Sequence, residues 1–258
     1  MVKYENKTAL ITGASSGIGE VFAYELAKRR CNLVLVARSK DKLDRLSSKL
    51  ESDYRIKVIS LPMDLTNRHA PKLIWDALKE RGIRIDILVN NAGAGTLERF
   101  HQINEERINN EIQLNITSLT ELTRRFLEPM IKRNNGIIIN VASMTAFQPA
   151  PYMAVYGATK SYVLSFTQAL WAENRENGIK ILALCPGETR SSFHTSSGSD
   201  HLKGNRMEPI EVVKTAFKGI EKGNSYQIAG RTNYIFSLFS RLLPRKTVLN
   251  IAANMFKK

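Results

Sequence analysis

Tyr156 and Lys160 stand four residues apart in the segment Tyr156-Gly-Ala-Thr-Lys160, and Ser143 lies thirteen residues before the tyrosine. On a helix that spacing puts the phenol and the ammonium on one face, within reach of a common ligand. A free tyrosine ionises near ~10, too high for efficient proton transfer at neutral pH. A neighbouring ammonium favours the phenolate and brings the group toward its operating range, as a general acid or base requires. In isolation the pair also describes an ordinary half-buried helix with a surface lysine. Its meaning depends on the elements that hold it.

Near the N-terminus a strand-like run, Thr8-Ala-Leu-Ile-Thr12, leads into Gly13-Ala-Ser15-Ser16-Gly17-Ile18-Gly19, and a helical pattern follows with apolar Ile18, Phe22 and Leu26. Strand, glycine turn and helix form the setting of a dinucleotide site: the turn lets backbone approach a pyrophosphate whose charge sits at the helix N-terminus. Strand-like runs recur at residues 32–37, 56–61, 86–90, 136–142, 179–184 and 225–228. Helical patterns fill the gaps near 17–30, 40–52, 67–81, 104–133, 152–176 and 209–222. This alternation predicts an α/β fold, a doubly wound parallel sheet in one domain.

These residues together resemble the short-chain dehydrogenase/reductase family across roughly residues 6–230. The family's elements stand in its order: Thr12 to Gly19, Asp64, Asn90-Asn91-Ala92-Gly93, Asn115, Ser143, Tyr156, Lys160 and Pro186-Gly187. The resemblance implies a catalytic tetrad of Asn115, Ser143, Tyr156 and Lys160. Tyr156 acts as acid or base, Ser143 holds the carbonyl oxygen, Lys160 tunes the tyrosine and binds the nicotinamide ribose, and Asn115 holds a relay water. It also implies a cofactor cradle of Gly13, Ser15, Ser16, Gly17, Ile18 and Gly19. Further contacts fall to Asp64 and Leu65 at the adenine, Asn90, Ala92 and Gly93 under the adenosine ribose, and Pro186, Gly187 and Thr189 near the nicotinamide. Homodimers or homotetramers are common in the family.

The end of the second strand reads Val36-Ala37-Arg38-Ser39-Lys40, with no carboxylate to bind a ribose 2′-hydroxyl and an arginine suited to a 2′-phosphate. NADP(H) is therefore the expected cofactor. Family members with this preference often carry a basic residue where this chain has Ser16, so Arg38 is expected to act with help from Ser15, Ser39 or Lys42. The stretch Met144, Phe147, Pro149, Pro151, Tyr152 and Met153 is apolar and suggests a hydrophobic carbonyl substrate. The resemblance, basic tail included, implies a 3-oxoacyl or steroid-like ketone or an aldehyde.

Two segments lie outside this pattern. Residues 189–207 are polar, serine-rich and aperiodic, the expected substrate lid. Residues 231–258 form a basic extension with apolar 235, 238, 239, 242 and 243 on one helical face and no acid after Glu221. Such a helix either lies on a membrane surface or packs on its own domain or a second subunit.

Other classes fit less well. The formal charge of +14 comes with no nucleic-acid motif, and residues 201–258 hold eleven Lys/Arg against three Asp/Glu, a local basic region. Gly13-Ala-Ser15-Ser-Gly17 matches a hydrolase nucleophile elbow, yet a triad forced from Asp200 and His201 would use neighbours in an irregular loop, a poor relay. A non-catalytic, nucleotide-binding regulator on the same fold is the alternative to an enzyme. The four histidines show no ligand spacing, so no metal is expected, and Cys31 and Cys185 read as buried thiols of a reducing, cytoplasmic setting, membrane-associated if the tail docks.

Overall fold

The structure, a computed structural model, describes residues 2–200 and 206–256. Seven strands, β1 (Thr8–Thr12), β2 (Asn32–Ala37), β3 (Val58–Pro62), β4 (Ile87–Asn90), β5 (Gly136–Val141), β6 (Ile179–Cys185) and β7 (Tyr226–Ile228), form one sheet in the order β3-β2-β1-β4-β5-β6-β7. Every pairing is parallel. Alternation along each strand feeds two cores: Ile11, Leu33, Leu35 and Val89 face one layer of helices, while Leu10, Val34, Val36 and Leu88 face the other. Burial on both faces explains why β2 and β5 read as nearly unbroken apolar runs.

The helices that cover the sheet are α1 (Gly17–Lys28), α2 (Lys40–Tyr54), α3 (Ala70–Glu80), α4 (Glu105–Ile112), α5 (Leu119–Lys132), α6 (Ala154–Glu173) and α8 (Pro209–Lys222). Their ends obey local chemistry. Asn104 caps α4 by accepting from Glu106 N at 2.8 Å, and α8 begins at Pro209 and stops at Gly223, which has φ 70°.

Strand order reverses between β1 and β4. That reversal opens a crevice at the strands' carboxyl ends, between the turn after β1 and the loop after β4, where ligands bind in sheets of this kind.

Three features depart from the sequence reading. The long helix expected over 104–133 is interrupted by a π-helical turn, Gln113–Ser118, that separates α4 from α5. The serine-rich segment is ordered where it is described: α7 (Phe193–Ser197) forms within it, and Thr189 bridges Met207. Residues 201–205 of the expected lid lie outside the described residues. The basic extension forms two helices, α9 (Arg231–Leu242) and α10 (Arg245–Phe256). No helix among the described residues is long and apolar enough to cross a membrane.

Candidate active site

Ser143 follows β5, and its hydroxyl accepts from Thr145 N at 3.2 Å, capping the short 3-10 turn Met144–Phe147. That cap fixes the side chain beside Tyr156, near the start of α6. Tyr156 is half-buried, with one edge on the crevice and its ring 5.2 Å from that of Phe193. Burial pushes its phenol up to about 12; the hydrogen bond from Ser143 acts in the opposite direction, and the charge of Glu111 adds to the rise. Desolvation outweighs the other influences here. Lys160 is buried, its Nζ 5.7 Å from the centre of the Tyr156 ring. Burial brings its ammonium down to about 8. Its Nζ donates to the Val141 carbonyl at 2.8 Å, which anchors the charge at the end of β5.

Asn115 sits inside the π-helical turn. Its Nδ2 donates to Ala94 O at 2.8 Å and to Thr159 Oγ1 at 3.0 Å, and its Oδ1 accepts from Ala94 N at 3.0 Å. A π turn widens the helix and re-aims its side chains, a device common at functional sites. Asn115 thereby clasps the loop after β4 and α6 at once. Gly93 occupies the gap beside it: a Cβ there would come within 3.3 Å of both Asn115 Oδ1 and Lys160 Nζ. All four expected tetrad residues therefore border one corner of the crevice.

The turn after β1 closes the other side. Gly17 has φ 59°, a conformation that disfavours any side chain, and a Cβ there would meet Ser191 at 2.9 Å. Ser16 at the start of α1 makes no side-chain cap, leaving the first-turn N–H groups of that helix without a side-chain acceptor from it. Its hydroxyl instead pairs with Ser192 at 3.2 Å, so the serine-rich segment rests directly on the glycine turn. Arg38 and Asp64 are exposed. Arg38 precedes α2, whose N-cap Ser39 also makes no side-chain cap, and Lys40 is engaged by Asp44 at 2.6 Å. Asp64 Oδ1 accepts from Thr66 N and Oγ1, both at 2.9 Å, while the Leu65 carbonyl accepts from Ser118 at 2.6 Å.

One expected contact is built differently. The Asn90 side chain points into the interior, donating to Thr123 at 3.0 Å and Asn140 at 2.9 Å, which leaves only its backbone for the crevice. Asn91 does the work of joining the two turns. Its Nδ2 donates to the carbonyls of Thr12 at 3.0 Å and Gly13 at 3.3 Å, and Thr12 Oγ1 accepts from Asn91 N and Ala92 N at 3.0 Å. Thr189 is buried, its carbonyl 3.0 Å from His194 Nε2.

A family model described as short chain dehydrogenase matches residues 7–202. The chain belongs to the short-chain dehydrogenase family. It is an oxidoreductase, and its relatives are spread across that family. It is 35% identical over 189 residues to hydroxysteroid dehydrogenase-like protein 1 of Gallus gallus, covering 72% of this chain and 56% of that protein. It is 31% identical over 261 residues to the very-long-chain 3-oxoacyl-CoA reductase of Macaca fascicularis, covering 96% of this chain and 79% of the relative. Among solved structures, a short-chain dehydrogenase from Sphingobium yanoikuyae in complex with NADPH is 34% identical, covers 95% of each chain and superposes with a TM-score of 0.84. The chain thus spans little more than half of the first relative's length.

Several residues that shape the crevice of this short-chain dehydrogenase were not legible in its sequence. Of the six apolar residues expected in the pocket, Tyr152 and Met153 do join Tyr156, in a cluster completed by Leu97, Ala150, Phe193 and, from the end of α10, Phe256. Met144 and Phe147 turn instead into a core patch with Phe166 and Tyr226, the Phe147 and Tyr226 rings 5.9 Å apart. Tyr152 holds φ at 64°, a strained value for an aromatic residue, while its carbonyl accepts from Glu98 N at 2.8 Å. No local signal announces that Phe256 reaches this wall.

Proposed function

We propose that the chain is an NADP(H)-dependent reductase of hydrophobic ketones or aldehydes, 3-oxoacyl or steroid-like, that also works as an alcohol dehydrogenase in reverse. The observation that carries this is the meeting of Ser143, Tyr156, Lys160 and Asn115 at one corner of the crevice. The crevice suits a dinucleotide: the glycine turn bares backbone at a helix N-terminus with no side-chain cap, and Gly93 keeps the wall beside Lys160 thin. When bound, NADPH supplies the hydride. Ser143 orients the carbonyl oxygen, Tyr156 gives it a proton as charge develops there, and Lys160 with Asn115 serves the restocking of that proton.

Gly13, Ser15, Ser16, Gly17, Ile18 and Gly19 are assigned to the pyrophosphate, Arg38 to the 2′-phosphate, Asp64 and Leu65 to the adenine. The backbone of Asn90, Ala92 and Gly93 goes to the adenosine ribose, and Pro186, Gly187 and Thr189 to the nicotinamide. The NADP preference is supported by exposed Arg38 beside the uncapped start of α2, and by the NADPH held in the Sphingobium relative. Substrate class is supported by the aromatic wall around Tyr156 and by the names of the two relatives. The segment at 189–207 is assigned as the lid, since it touches both the glycine turn and, through Phe193, the tyrosine.

The basic extension gives the enzyme a membrane surface. Ile235, Leu238, Phe239 and Leu242 of α9 are 53%, 37%, 47% and 79% exposed and Leu243 is half-buried, so much of this face is open. Arg231, Arg245 and Lys246 of the same segment are exposed, and no acid follows Glu221 to balance them. Anionic lipid answers both the apolar face and the charge. Serine substitution of Ile235, Phe239 and Leu242 should release the protein from phosphatidylserine vesicles; vesicle binding equal to wild type would refute the surface.

The function is tested by NADPH consumption across 3-oxoacyl thioesters, ketosteroids and aliphatic or aromatic aldehydes. Turnover of one group, lost in Tyr156→Phe, is the expected result. NADPH binding with no turnover anywhere in the panel would favour a nucleotide-binding regulator.

A further inference from the structure

Glu111 is a carboxyl that neither the tetrad nor the fold explains. It lies at the end of α4, four residues before Asn115, and is only 3% exposed. Its Oε2 accepts from Thr96 Oγ1 at 2.9 Å, while its Oε1 is buried with no hydrogen-bond partner among the described residues. A carboxyl taken from water with half its lone pairs unmatched is costly, and such groups cluster where charge is used. The charged and titratable groups acting on it are few. Arg107 acts from its own helix and also donates to Ser196 O of the serine-rich segment at 2.8 Å; Lys160 acts from α6, where Tyr156 feels Glu111 in turn. Thr96 belongs to the same loop as Gly93 and Ala94, the residues that border Lys160 and Asn115.

We propose that Glu111 is a positioning residue of the reaction, whose charge governs how firmly Lys160 and Tyr156 hold their protons. The inference rests on Tyr156 being the proton donor. Burial raises the carboxyl from 4.5 to about 7, so it changes charge within the working range. Once ionised it favours the ammonium of Lys160 and opposes the phenolate of Tyr156, and both effects keep protons in place at higher pH. Protonated, it releases that hold. Thr96 sets the balance, because its hydroxyl bond favours the carboxylate.

The test pairs kinetics with a signal that needs no turnover. Tyrosinate absorbance is titrated in wild type and Glu111→Gln, each with its own Tyr156→Phe background subtracted. In Glu111→Gln the Tyr156 midpoint should fall by about one pH unit, roughly tenfold in its ionisation constant. The alkaline limb of kcat for reduction should move down with it, and an inflection near neutral pH should vanish. Thr96→Val, which keeps the carboxyl, should move that inflection to higher pH and stands in if Glu111→Gln fails to fold. A wild-type midpoint and pH profile in Glu111→Gln, or an unmoved inflection in Thr96→Val, would overturn the inference. The function would then stand or fall on Tyr156→Phe alone, which must lose turnover if Tyr156 is the donor.

Discussion

The two ends of the crevice are built on opposite terms. At one end Lys160, Asn115 and Glu111 are buried, and each is tied by hydrogen bonds to backbone or to another element. At the other, Arg38 and Asp64 stand exposed, and Asp64 is held by its near neighbours Thr66 and Asn67. A proton donor must be aimed and desolvated before substrate arrives, so its surroundings are rigid and dry. A group that reads a phosphate at the rim needs charge and access more than fixed geometry. The contrast predicts that substitutions at the buried end alter rate and pH behaviour, whereas those at the rim alter cofactor affinity.

The largest effect should come from Tyr156→Phe, with turnover reduced at least 10²–10⁴-fold, the worth of general acid assistance, and little change in NADPH affinity. Arg38→Ala should do the reverse. Loss of a charged hydrogen bond worth about 1.5–3 kcal/mol weakens NADPH binding roughly 10–150-fold in a fluorescence titration, leaving NADH binding and kcat nearly unchanged. An equal loss for both nucleotides would erase the distinction between the two ends.

A comparable effect is read in stability. The Glu111 carboxyl ionises near 4.5 when unfolded and at about 7 when folded. The stability tied to its protonated form is therefore complete below pH 4.5 and lost as pH rises through 7, a loss of about 3 kcal/mol. Glu111→Gln should be more stable than wild type at pH 8 in urea and lose that advantage in acid; the same gap at both pH values would contradict it. Smallest should be Asp64→Ala, about 0.5–1 kcal/mol of stability and under a tenfold loss of cofactor affinity, because the exposed turn it caps has water as an alternative partner.

The same contrast explains what could be read from the chain. Seven strands were legible because burial on both faces forces apolar runs such as Asn32–Ala37 and Gly136–Val141. The expected tetrad was picked out by the resemblance to the family, each residue standing at a strand end or on a helix. Non-local packing hid the rest. The order of the segment around α7 comes from His194, whose ring contacts Thr189 O and Ser199 Oγ across a turn. Phe256 closes the wall beside Tyr156 from the far end of the chain. Asn90 turns inward because its β5 register partner is Asn140, itself bonded to Thr167, a polar line through the core that strand periodicity does not reveal. Glu111 reads in sequence as one more polar residue of a polar helix.

The most direct test measures NADPH affinity and NADPH-dependent ketone reduction on the same preparations of wild type and Tyr156→Phe. Unchanged affinity with turnover reduced at least a hundredfold is the predicted result. Turnover retained in Tyr156→Phe would show that the buried end of the crevice does not supply the proton.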